Sequence, residues 1–150
     1  MSTTTFDQYL MADHRDCDAL LGALRQLAGA GDWEGAGSAF QSLRKDVLAH
    51  FAAEEEVLFP AFEAASGMTC GPTRVMRMEH DEVRDLLEDL SLDMSEQDGE
   101  GVRGHGEALL ILLQQHNMKE EHILYPAALQ SAGAQAAELS AQVIARREAA

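Results

Sequence analysis

The chain is short of several things, and each shortage excludes a class of protein. Cysteine occurs only twice, as Cys17 and Cys70. That is too few for a disulfide framework. Basic residues are scarce: 11 lysines and arginines face 26 aspartates and glutamates, for a net charge of −15. A chain this acidic lacks the basic face that nucleic-acid phosphates need, and anionic membrane surfaces disfavour it equally. No apolar run approaches the ~18 residues of a membrane span. The opening residues, Met1 to Asp7, carry neither a basic region nor the apolar stretch of a secretion signal. The expectation is a cytoplasmic protein with no nucleic-acid or membrane partner. What remains is ample for folding: 150 residues, 46% of them hydrophobic, suffice for one domain, 1–150, with a sizeable core.

The apolar residues fall into stripes of helical period. Leu10, His14, Cys17, Leu21 and Leu24 recur at spacings of four and three, after threonines at 3 to 5 that offer helix caps. Ala28-Gly-Ala-Gly31 stops this helix, and Asp32 caps the next. The second stripe is Phe40, Leu43, Val47, His50, Glu54 and Leu58. Pro60 then predicts a kink or an early end. A loop from Ser66 to Gly71 leads to Pro72, placed to start a helix carrying Met76, His80, Val83, Leu87 and Leu90. Beyond a polar loop at 95–101, the fourth helix carries Leu109, Leu112, His116, Glu120 and Ile123 or Leu124. The alanine-rich tail after Ser131 reads as a short fifth helix without chemistry of its own.

One stretch occurs twice. His50-x-x-x-Glu54-Glu55 continues to Leu58-Phe59-Pro60, and His116-x-x-x-Glu120-Glu121 continues to Leu124-Tyr125-Pro126, 66 residues later. His14 and His80 keep the same offset, as do Leu20, Leu21 and Leu24 with Leu86, Leu87 and Leu90, and Leu43 with Leu109. The chain is therefore two copies of one helical hairpin, about 5–65 and 72–128. Two hairpins close into a four-helix bundle rather than a solenoid. The fold class is all-α: an up-down four-helix bundle followed by the short C-terminal helix.

The motif's spacing carries the chemistry. Residues four apart on a helix share a face, so each histidine and glutamate form a natural pair for one cation. His14 lies about 22 Å from the turn at Gly29, and His50 lies about 25 Å from Trp33, at ~1.5 Å per residue. The repeat places His80 and His116 at the same depth. Four imidazoles and two carboxylates then converge in the core. Burying them without a cation costs several kcal/mol for each charged group. A single histidine on an apolar stripe means little, whereas four on four stripes point to metal. The ligand set is His14, His50, Glu54, His80, His116 and Glu120. Six ligands on four helices suit two ions bridged by the carboxylates. The mixed nitrogen and oxygen set suits iron, with manganese or zinc as competitors. A closed structural zinc site would use four ligands, usually with cysteine. The Glu-x-x-His pattern of ferritin-type di-iron helices is absent.

His14, His50-x-x-x-Glu54, His80 and His116-x-x-x-Glu120 together resemble the hemerythrin-like (HHE cation-binding) family over about residues 5–128. The resemblance implies a four-helix bundle around a non-haem di-iron centre, with an oxo or hydroxo bridge beside the two carboxylates. It also implies a small ligand: dioxygen, nitric oxide or peroxide. The alternative within the family is iron storage, buffering or sensing without turnover. Two departures bear on the choice. Oxygen carriers of the family place a fifth histidine where this chain has Met76, and their last carboxylate falls at the position of Glu121. The repeat favours Glu120, and a ligand set one nitrogen short favours reaction at the metal over reversible carriage. Family roles in iron–sulfur repair or within a ubiquitin ligase rest on further domains and are not expected.

The remaining candidates read as ordinary. His105 is expected to cap the fourth helix, His122 to be solvated and Cys70 to be exposed in its loop. Cys17, Met76 and Tyr125 are expected to pack. Glu55, Glu56 and Glu121 are expected on the solvated side or just behind the ligands.

Overall fold

In a computed structural model, the described residues, 4–149, are helical almost throughout. Helix α1 spans Phe6–Gly29, with Thr5 as its N-cap. The Thr5 hydroxyl turns to the Asp7 carboxylate rather than to a backbone amide; of the other two expected caps, Thr4 precedes the helix and Thr3 lies outside the described residues. Gly31, at φ 78°, turns the chain where the glycine pair suggested, since only glycine takes that conformation freely. Asp32 then accepts from the Gly35 N–H at 2.9 Å and starts α2, Trp33–Ala53. After α3 (Phe59–Ser66), α4 spans Pro72–Glu96 and α5 spans Gly99–Lys119. The cap of α5 is Asp98, which accepts from the Gly101 N–H at 3.0 Å. His105 is not that cap: it lies in the second turn and bonds Asp93 at 2.6 Å. Helices α6 (Tyr125–Ala132) and α7 (Ala136–Glu148) complete the chain.

Pro60 neither ends nor interrupts its helix. In an α-helical ladder a proline lacks its N–H, and its ring collides with the carbonyl four residues back. The chain avoids this by widening Glu54–Leu58 into a π turn, in which the Phe59 N–H reaches the Glu54 carbonyl five residues back. Helical structure then continues unbroken to Ser66. Pro126 is handled identically. Glu120–Leu124 forms a second π turn, and the Tyr125 N–H reaches the Glu120 carbonyl. Each π turn thus begins on the glutamate of the repeated motif.

Helices α1, α2, α4 and α5 form the four-helix bundle, and α7 lies against α1, α2 and the first π turn. The core has two apolar layers. One is built from Leu21, Leu24, Phe40, Leu43, Leu87, Leu90 and Leu109, at the end where α1 turns into α2. The other contains Phe6, Leu10, Phe59, Phe62, Met76, Leu139 and Val143. On α5 the buried residue is Leu113 rather than Leu112. The internal repeat explains it, because Leu113 stands opposite Val47 at the 66-residue offset, and both are buried. Leu124 is 1% exposed and Ile123 is 59% exposed, so the stripe continues through Leu124. Among the described residues, no helix is long and apolar enough to cross a membrane.

Gln97 ends α4 at φ 50°, the one described non-glycine residue with positive φ. A side chain pays about 1 kcal/mol or more to sit there, and glycine does not. Gln97→Gly is expected to raise stability by about 0.5–1 kcal/mol, read as a higher urea midpoint at unchanged slope; a lower midpoint would contradict this account of the cap.

Candidate metal centre

Between the two apolar layers lies a polar one. His14 comes from α1, His50 from the last turn of α2, His80 from α4 and His116 from the last turn of α5. Glu54 and Glu120 each open a π turn. All six side chains are buried, and Glu54, His80, His116 and Glu120 have no exposed surface. Their inner nitrogen and oxygen atoms form two overlapping groups able to hold a metal ion: Glu54, His80, His116 and Glu120 in one, and His14, His50 and Glu120 in the other, each group within 4.8 Å. Within this layer the Nε2 atoms of His14 and His50 are 3.1 Å apart. His80 Nε2 lies 3.2 Å from Glu54 Oε1, and His116 Nε2 lies 3.3 Å from Glu120 Oε1.

Each histidine is held from behind. The Nδ1 of His14 meets Glu121 at 2.7 Å, that of His50 meets Asp13 at 2.8 Å, that of His80 meets Glu55 at 2.7 Å, and that of His116 meets Glu79 at 2.9 Å. With Nδ1–H donating to a carboxylate, the Nε2 atom is the one turned inward, which is how metal-binding histidines are oriented. Glu55 and Glu121 thus lie behind the histidines. Asp13 and Glu79 escape sequence reasoning, yet a signal existed. Each immediately precedes a stripe histidine, and the two are again 66 residues apart. Three of the four carboxylates are backed by a cation: Arg84 on Glu55 at 2.8 Å, Arg147 on Asp13 at 2.7 Å, and Lys119 on Glu79. Burial pushes the Asp13 and Glu55 pKa values up, but the bonds from His50 and His80, and then those from Arg147 and Arg84, override it and hold each at about 2.

The inner face is not self-satisfied. Glu54 Oε1, His80 Nε2, His116 Nε2 and Glu120 Oε2 are buried and make no hydrogen bond, although they lie close together. Orphaned buried donors and acceptors are costly, and several converging on one point fit a cation. Protons can occupy the same role. Burial alone would lower the pKa of His50 and His116, but the facing carboxylates override it and raise them to about 10 and about 9. Glu54 is held well below the usual carboxylate range, mainly by His50, against the effect of burial.

Tyr125 does more than pack. Its hydroxyl donates to Glu54 Oε2 at 2.7 Å and lies 3.2 Å from Glu120 Oε1 and 3.3 Å from His14 Nε2. The π turn makes this reach possible, since it brings residue 125 back over residue 120 within one widened turn. The counterpart Phe59 stacks on His80 instead, with ring centroids 5.6 Å apart. Cys17 is buried, its thiol pushed up by burial. It lines a cavity of about 10 Å³ with His14, Val47, His50, Phe51, Leu113 and Asn117, on the scale of one water-sized molecule. Met76 is buried in the second apolar layer, and Cys70 and His122 are exposed. Glu56 is exposed and pairs with Arg146 at 3.0 Å. The C-terminal helix, expected to hold no chemistry, supplies Arg147 to Asp13 and so reaches the site's surroundings.

These ionisations set a pH dependence for protein stripped of metal. A histidine whose folded pKa is raised stabilises fully below its unfolded value and loses that contribution as pH rises through the folded one. For His50 and His116 the loss runs from about pH 6.5 to about 9–10. The depressed Asp13 and Glu55 act oppositely, losing their contribution as pH falls from about 4 toward 2. The melting temperature of chelator-treated protein is therefore expected to be highest near pH 5–6 and to fall on both sides. A melting temperature that climbs from pH 7 to 10 would contradict this charge arrangement.

Comparison with curated proteins finds no match, and comparison with solved structures finds none. The profile of the Hemerythrin HHE cation binding domain family matches residues 5–128, which span every histidine and carboxylate of the polar layer. With the bundle, the doubled motif and the profile in agreement, the chain belongs to the hemerythrin HHE cation-binding family.

Proposed function

We propose that this protein binds two iron ions in the polar layer and uses them on a small ligand: dioxygen, nitric oxide or peroxide. The observation that carries the reading is the set of unpartnered buried atoms, Glu54 Oε1, His80 Nε2, His116 Nε2 and Glu120 Oε2, converging in one place. The ligands in this reading are His14, His50, Glu54, His80, His116 and Glu120, with Glu54 and Glu120 shared between the ions. Glu120 rather than Glu121 takes this part because Glu121 is already engaged with His14 Nδ1 from outside. The nitrogen and oxygen donors suit iron, with zinc or manganese as competitors.

Iron, when bound, would supply electrons and a place for the small ligand. The chain supplies the rest. Carboxylates behind the four histidines fix their tautomers and aim each Nε2 inward. Tyr125 holds the Glu54 carboxylate and places one hydroxyl proton at the centre. Val47, Phe51 and Leu113 give the small cavity beside His14 and His50 apolar walls, and its size suits a molecule of a few atoms.

Metal analysis and absorption spectra test the reading. The protein as prepared, or reconstituted with ferrous iron, is expected to hold two irons per chain. His50→Ala and His116→Ala are expected to abolish that stoichiometry, whereas His105→Ala and His122→Ala leave it intact; the reverse pattern would refute the ligand set. The reduced, iron-loaded protein is expected to change its spectrum with at least one of dioxygen, nitric oxide and peroxide. Silence toward all three would favour iron holding or sensing instead, in which iron removal should also cost much of the helix signal. Tyr125→Phe is expected to keep both irons while shifting the absorption of the oxidised form. An unchanged spectrum would remove Tyr125 from the centre.

A further inference from the structure

We infer that Arg147 is a positioning residue for the metal centre, so that the C-terminal helix α7 sets the His14/His50 half of the site through Asp13 and His50. The inference rests on the metal-binding reading above.

Its basis is a chain of contacts from the tail to the polar layer. Arg147 grips Asp13 with two hydrogen bonds, Nε to Oδ2 at 2.7 Å and Nη2 to Oδ1 at 2.9 Å. The same Asp13 Oδ2 receives His50 Nδ1 at 2.8 Å. Asp13 is buried, and the Arg147 side chain is 16% exposed, so the pair is not a loose surface contact. A two-point guanidinium–carboxylate bond fixes the carboxylate's plane as well as its charge, and a bonded carboxylate fixes the imidazole it receives.

The four histidines differ in this respect. Glu55, behind His80, is held by Arg84 of α4, and Glu79, behind His116, is held by Lys119 of α5. Both cations belong to the four-helix bundle itself. Only Asp13 takes its cation from α7, which lies beyond the residues matched by the family profile. Helix α7 is itself seated firmly. Ser140 is buried and accepts the Phe6 N–H at 2.9 Å, and Leu139 and Val143 pack in the layer with Phe6, Leu10 and Phe59. The neighbouring Arg146 points elsewhere, to exposed Glu56, and so provides a control on the same helix.

Two measurements on the full chain test this, with cobalt(II) as the probe. Chelator-treated native protein, titrated with cobalt(II) and followed by visible absorption, is expected to take up two equivalents. Arg147→Met keeps the length of the side chain and removes its bonds. It is expected to weaken one equivalent severalfold, up to about the tenfold lower end of what loss of a ligand's own outer partner costs, and to leave the other unchanged. Arg147→Lys should recover part of the loss, and Arg146→Met should behave as native. Hydrogen exchange supplies the second readout: cobalt(II) should slow exchange in α7 of the native protein and have little effect there in Arg147→Met. Native-like uptake of both equivalents by Arg147→Met would overturn the inference. So would equal weakening of both equivalents, or α7 exchange that ignores the metal. Failure of the native protein to take up two equivalents would instead refute the metal-binding reading, and this inference with it.

Discussion

The structure depends on a charge problem placed in the middle of an apolar bundle. Carboxylates and imidazoles with almost no exposed surface cost several kcal/mol each to bury unless something of opposite charge accompanies them. Everything near the site reads as part of that solution. Behind the histidines stand carboxylates, three of them backed in turn by a cation. In front of them, atoms without partners leave a place where a cation satisfies several at once. The apolar layers above and below raise the cost of leaving that place unfilled, because low dielectric strengthens every interaction across it.

The two hairpins share a pattern, and their departures from it are uneven. The offset of 66 aligns Cys17 with Val83, Asn117 with Phe51, Tyr125 with Phe59, and Asp18 with Arg84. On one side Arg84 backs Glu55, and Phe51 stacks on His80 with ring centroids 3.7 Å apart. On the other, Tyr125 reaches His14, while Cys17 and Asn117 line the small cavity beside it. Asp18 stands near Glu121, where the matching position holds an arginine, and burial raises its pKa. The His80 side is thus sealed by aromatic rings and a cation, whereas the His14 side carries the polar and adaptable groups.

Much of this was legible before any coordinates. Four stripes at helical spacing and an offset shared by histidines, glutamates and leucines fixed the bundle and the convergence of His14, His50, Glu54, His80, His116 and Glu120. The rest was hidden for physical reasons. Proline signals a broken α ladder, but the sequence does not say whether the chain stops, kinks or widens; Pro60 and Pro126 both widen it. Tyr125 reads as packing because its copy is Phe59, and helical projection at ~100° per residue, which fails through a π turn, does not reveal its reach to Glu54 and Glu120. Arg147 was unreadable because its partner is 134 positions away and no periodicity connects an arginine on the tail to Asp13. Asp13 and Glu79, by contrast, were within reach, as the repeat already paired them.

The π turns also divide each long helix into two independently phased halves. A π turn holds one residue more than the α turn it replaces, so the ligand face and the apolar face beyond it are not on one continuous spiral. Removing a single residue between Glu54 and Phe59, or between Glu120 and Tyr125, would let the turn close. Four α residues turn through nearly the angle that the five π residues do, so the downstream segment would keep its face. Phe59, Phe62 and Tyr125 would keep their directions, but Pro60 and Pro126 would be left in an unwidened α ladder, each ring against the carbonyl four residues back. A loop such as 67–71 can gain or lose a residue with little consequence, whereas in these two stretches chain length is tied to the proline that follows.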